Sequence, residues 1–182
     1  MDNVLKEVRV RLIRTGKYAI PLKKLLLVEG KKGNKVVLEA IFGYLDTLTA
    51  SLRRGGSCPS HRRTDGNITV SCYLTVDEAA IHYRIVPTEM YDVTNRHHQP
   101  FDVSVHVKES NIFFEASQKQ GWAEPPAKKH FDLIFARFSR AAVDYNHPHA
   151  VGLLLPDRFN KTLKVRLENV LDDTVFPALE YV

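Results

Sequence analysis

From Asn67 onward the apolar residues fall at every second position: Ile68, Val70, Cys72, Leu74 and Val76 alternate with Thr69, Ser71, Tyr73 and Thr75. A period of two belongs to a strand with one buried face and excludes a helix here, so the fold must contain a sheet. Asp77 and Glu78 supply turn chemistry leading to a second strand over 80–86, which Pro87 should end. The same alternation returns over 101–108 and 111–118, with Glu109 and Ser110 between them at hairpin distance. A continuous apolar run at 150–155 reads as a central buried strand. Residues 175–181, interrupted by Pro177, read as an edge strand.

Helical signals lie between these segments. Pro21 suits the start of a helix over 22–29, Gly30 stops it, and Asn34 can cap a second. In that second helix Val37, Ile41, Tyr44, Leu48 and Leu52 recur at spacings of three or four, to about Arg53. After Pro125 and Pro126, residues Phe131, Ile134, Phe135, Phe138 and Ala142 predict an amphipathic helix ending near Asp144. A further helix is expected over 157–170, and the segment before Pro21 fits strand or helix equally. The expected fold is one α/β domain over 1–182, a mixed β-sheet flanked by helices.

Charge and cysteine content narrow the function. Lys plus Arg number 26 against 21 acidic residues, a formal charge of +5 with neutral histidine. The excess is clustered at 9–14, 31–35, 53–63 and 128–140, an arrangement suited to a polyanion such as nucleic acid, held through phosphate contacts. No apolar run approaches the roughly 20 residues of a membrane helix. The first residues carry no secretory signal pattern, and two cysteines, Cys58 and Cys72, read as free thiols. A cytoplasmic setting without membrane contact is therefore expected. The glycine-bearing stretch 30–35 lacks the closing Lys-Ser/Thr of a nucleotide-binding loop.

The chemistry centres on 101–119. With a two-residue turn at Glu109 and Ser110, Val107 faces Ile112, Val105 faces Phe114 and Val103 faces Ala116 on one apolar side. Asp102, Ser104, Glu115 and Ser117 then share the other side, Asp102 and Glu115 as diagonal neighbours with Lys119 at the strand end. Two such carboxylates could hold a hard divalent cation, and a nearby ammonium could assist an attacking water.

An Asp opening one strand, a hairpin, a Glu near the end of the next, then a helix and a buried strand resembles the PD-(D/E)XK superfamily of restriction-endonuclease-like nucleases. The matching segments are Gln99-Pro100-Phe101-Asp102 and Phe114-Glu115-Ala116-Ser117-Gln118-Lys119. The resemblance implies a restriction-endonuclease-like core over about 34–155, with a helical extension at 1–33 and a helix and edge strand at 156–182, and a metal-dependent nuclease hydrolysing DNA phosphodiester bonds. Asp102 and Glu115 would bind Mg²⁺, with Mn²⁺ as a substitute, and Glu39 on the first core helix would be a further ligand, with Asp46 two turns on. The family usually places Lys two residues after Glu. Ser117 stands there, which leaves Lys119 or Gln118 for the role. Lys128, Lys129, Arg137 and Arg140, on the helix beside the site, would contact the DNA backbone. Cutting both strands of a duplex would call for two sites and admits a homodimer. The departure at Ser117 also implies an alternative, a catalytically inactive nucleic-acid-binding or assembly subunit of the same fold.

Overall fold

The computed structural model describes residues 1–16, 19–29, 36–90, 99–119, 127–144 and 156–179. In chain order these form helix α1 (Asp2–Arg14) and strands β1 (Ile20–Pro21), β2 (Leu25–Glu29) and β3 (Val36–Asp46). The short helix α2 (Leu48–Ser51) precedes β4 (Arg53–Arg54), β5 (Ser60–Arg62), β6 (Asn67–Thr75) and β7 (Ala80–Met90). Strands β8 (Phe101–Lys119), β9 (Ala127–Phe138) and β10 (Ala142–Val143) follow. Helix α3 (Pro156–Val170), a π-helical turn at Leu171–Val175 and helix α4 (Phe176–Leu179) complete the described elements. The architecture mixes helices and strands, with a large antiparallel sheet.

Its backbone is a long ribbon. Strand β8 pairs with β6 from Asn67 opposite Lys119 to Leu74 opposite Ile112, and with β7 from Ala80 opposite His106 to Ile85 opposite Phe101. The register carries across the break without slipping, so β6 and β7 run in line along one side of β8. Neither expected reversal occurs. At 76–79 the chain kinks, with Glu78 at φ 74°, and at 108–109 two consecutive exposed residues, Lys108 and Glu109, form a bulge in an unbroken β8. The irregularities face each other and are joined across: Val107 exchanges backbone bonds with Glu78 and Ala79 (2.8 and 2.9 Å). The buried Ser110 hydroxyl accepts the Val76 amide at 2.8 Å and donates to the Asp77 carboxylate at 2.7 Å.

The remaining strands flank this ribbon. β3 borders β7 and carries β1 and β2 on its far side. β4 and β5 border β6, while β9 and β10 lie along the other side of β8. The inward face presents Leu38, Ala40, Leu45, Cys72, Leu74, Ile81, Ile85, Val103, Val105, Ile112 and Leu133 to the helices. α3 lies against both β2 and β9, burying Phe159, Leu163 and Leu167 at helical spacing. Arg166 donates to the Lys24 carbonyl at 2.8 Å and Lys164 to the Ile134 carbonyl at 2.9 Å, so the two edges of the sheet are tied to one helix. Such a sheet must curl around its contents.

Several expected elements fall differently. Over their described residues, the segments expected as helices at 22–29 and 34–53 hold strands β2 and β3, then α2 and the start of β4, not two helices. Val36, Val37, Ile41, Phe42 and Tyr44 are strand formers, and pairing β3 with β7 buries Leu38, Ala40 and Leu45 on one side. Gly43 permits this closeness: a Cβ there would lie 2.2 Å from the Tyr83 ring. Burial of Tyr83 pushes its hydroxyl up to about 12. Residues 127–138 form β9, not a helix, because Phe131 and Leu133 turn inward while Asp132 faces the other side. Pro87 lies within β7 at a register shift. The edge strand expected at 175–181 is the end of the π-helical turn and α4 over its described part. Cys58 and Cys72 are joined in a disulfide with Cα atoms 4.4 Å apart, which withdraws the free-thiol argument for a cytoplasmic setting. No described helix is long and apolar enough to cross a membrane. The strand expected at 150–155 lies outside the described residues.

Candidate nucleic-acid interface

The continuous β8 separates the two carboxylates that a hairpin would have joined. Asp102 and Glu115 point to the outward side of the sheet across the bulge, but they stand thirteen positions apart along the extended chain, roughly 40 Å of strand contour. Asp102 lies 3.6 Å from Arg84 on β7. Glu115 is held by the Ser71 hydroxyl at 3.2 Å and the Arg63 guanidinium at 3.5 Å. Glu39 lies on a strand opposite Leu26 and Val86, with β7 between it and Asp102, which faces Arg84; two inter-strand spacings and a two-residue stagger separate them by roughly 12 Å. The expected Mg²⁺ ligands therefore do not converge, and these donors do not fit one metal ion. Among the described residues no group of three or more His, Cys, Asp or Glu side chains is placed to hold a metal.

Gln118 and Lys119 end β8 opposite Ile68 and Asn67 and are exposed. Lys128 and Lys129 occupy the start of β9, not a helix beside a metal site. Arg137, near the end of β9, is exposed, 3.0 Å from Glu109 and 6.0 Å above the Phe135 ring. Arg140 is exposed between β9 and β10.

What the fold does bring together is a set of rings on the outward side. Tyr73 on β6, Phe113 on β8 and His130 on β9 form a row across three adjacent strands, with centroids 5.5 and 5.7 Å apart. Tyr73 is 45% exposed. Phe135 lies one step along, opposite Asn111, with Arg137 over it. The surrounding charges are mixed: Arg63 pairs with Glu115, Arg137 pairs with Glu109, and Asp132 lies opposite Phe113. The solvated side of an antiparallel sheet is ordinarily polar, so the exposed Tyr73 and His130 rings beside half-buried Phe113, with the Arg137 guanidinium over half-buried Phe135, offer a surface on which planar rings can stack.

A second set lies past the kink. Phe42 and Tyr44 on β3 approach to 5.9 Å, and Tyr44 stacks on His82 of β7 at 4.6 Å and 18°. His82 Nδ1 is 2.8 Å from the Ser104 hydroxyl on β8. Desolvation by burial lowers the His82 pKa below its usual value, His106 adds to the lowering, and Asp46 opposes it.

Sequence reasoning missed these rings because it read the outward positions only as the polar half of an alternation. The available signal was Tyr73 between Cys72 and Leu74, and Phe113 between Ile112 and Phe114, aromatic residues on the face reserved for water. Neither a scan against protein-family models nor a search of curated proteins returns a match.

Proposed function

We propose that the chain is a nucleic-acid-binding module that uses the outward face of β6, β8 and β9 to stack unpaired bases of a single strand. The observation that carries this reading is the Tyr73, Phe113 and His130 row on the solvated side of the sheet. Every base has a π-face, so such a row binds single strands with little sequence preference. The basic excess of the chain supplies attraction to phosphate, with Arg63 on Glu115 and Arg137 over Phe135 beside the row. Glu115, fixed by Ser71 and Arg63, positions the Arg63 guanidinium in this account.

This reading keeps the nucleic-acid partner suggested by the basic clusters and the non-catalytic alternative suggested by Ser117. It does not depend on a restriction-endonuclease-like core or on a metal. The test is fluorescence anisotropy with a labelled 12-nucleotide single strand at low salt. Tyr73→Ala should weaken binding by ~1–3 kcal/mol, the usual range for one base stack. Binding that is absent at low salt, or equal for Tyr73→Ala and the native chain, overturns the reading. Tighter binding to duplex would point to phosphate contacts alone.

A further inference from the structure

The geometry points to a second base-stacking platform on β3 and β7, formed by Phe42, Tyr44 and His82, which extends the same single-stranded ligand past the kink in β8. This inference rests on the proposed function and adds the path and length of the ligand. Phe42 is 59% exposed, and its ring, Tyr44 and His82 are consecutive partners in ring contact. Ser104, the hydroxyl neighbour of His82, and Phe113, the centre of the first row, both project outward from one unbroken strand.

The ground between the platforms carries exposed basic side chains that can meet phosphate, beside the acidic Glu78 and the Glu109–Arg137 pair. His106 and Lys108 are exposed on β8, and Arg140 is exposed in the turn that Ser139 fastens to His106 by two hydrogen bonds. From Phe113 to Ser104 is nine residues of strand, about 30 Å. At the ~3.4 Å rise of a stacked nucleic-acid strand that span takes about nine nucleotides, and fewer when the strand is extended. A ligand longer than this can engage both platforms at once, so the second contact becomes intramolecular and affinity rises steeply with length. Both platforms lie on the sheet face opposite the helices, so one strand can lie over both without crossing the core.

The experiment compares single strands of 6 and 18 nucleotides binding to the native chain, Phe42→Ala and Tyr73→Ala by anisotropy, after thermal melts show that each variant folds. Tyr44→Leu, which keeps bulk on β3 while removing the aromatic ring, serves if Phe42→Ala does not fold. The inference expects Phe42→Ala to weaken the 18-mer at least tenfold and the 6-mer by less than about twofold, since the short strand still has the first platform. The remaining length dependence of that variant is then the gain from register counting alone. If Phe42→Ala and Tyr44→Leu leave both lengths unchanged while Tyr73→Ala weakens both, the second platform is overturned and the first stands. If Tyr73→Ala also changes nothing, the proposed function itself falls.

Discussion

Replacing Ser110 with alanine separates a straight, bulged β8 from a hairpin at the same residues. In the folded chain the Ser110 side chain is 3% exposed, accepts the Val76 amide at 2.8 Å and donates to Asp77 at 2.7 Å. Alanine keeps the backbone and removes both bonds. Hydrogen bonds to charged groups contribute about 1.5–3 kcal/mol, and a buried amide left without an acceptor costs about 1–3 kcal/mol. Allowing for partial rescue of the Asp77 carboxylate by water, Ser110→Ala should destabilise by about 3 kcal/mol. For a chain of this size each kcal/mol moves the melting temperature by about 2–4 °C, so a fall of roughly 6–12 °C is expected by calorimetry. In a double-mutant cycle with Asp77→Ala the losses should be less than additive, because the two side chains share one bond. At the tip of a solvated hairpin the same substitution would stay within about 0.5 kcal/mol. A shift under about 2 °C with additive behaviour would refute the matched-kink architecture.

Gly43→Ala should destabilise by about 1–3 kcal/mol, because its Cβ would enter the Tyr83 ring position at 2.2 Å; in a helix the same change would stabilise by about 1 kcal/mol, so the sign seen in urea titration decides between strand and helix for β3. Reduction of Cys58–Cys72, which spans a sequence separation of 14, should lower stability by ~3 kcal/mol through restored chain entropy; identical urea midpoints with and without a dithiol would contradict it. His82 has a folded pKa below its ordinary 6.5, so the unfolded chain takes up its proton first on acidification. Its contribution to stability is therefore present above about pH 6.5 and lost as pH falls through the window down to the lowered value. Comparing melting temperatures at about pH 7.5 and about pH 5.5 should show a larger acid loss in the native chain than in His82→Gln, and equal losses would be against it.

The sequence made the strand faces legible and the chain reversals illegible, for one physical reason. A change of parity in an alternating segment is produced equally by a two-residue turn and by a single-residue bulge. At 108–109 the apolar side switches from Val103, Val105 and Val107 to Ile112 and Phe114. The expected partition of Asp102 and Glu115 onto the outward side therefore holds, while their expected proximity does not. At 76–79 the same ambiguity hid the collinearity of β6 and β7. The helices expected at 22–29, 34–53 and near 131–144 failed because short apolar runs of valine, isoleucine and aromatics satisfy helical spacing by chance, and sheet pairing decides their conformation. By contrast α3 was readable, since Phe159, Leu163 and Leu167 form a stripe with no competing alternation. Of the site, the exposed basic residues were visible in composition. The ring row was not, because Tyr73, Phe113 and His130 are distant in sequence and meet only through the register of three strands.

The most direct test of the central claim is an amide chemical-shift titration of the isotopically labelled chain with a single-stranded 18-mer. Shifts concentrated at Tyr73, Phe113 and His130 and their outward neighbours are the predicted result. Shifts confined to α1 and α3 would place the ligand on the other side of the sheet and contradict the account.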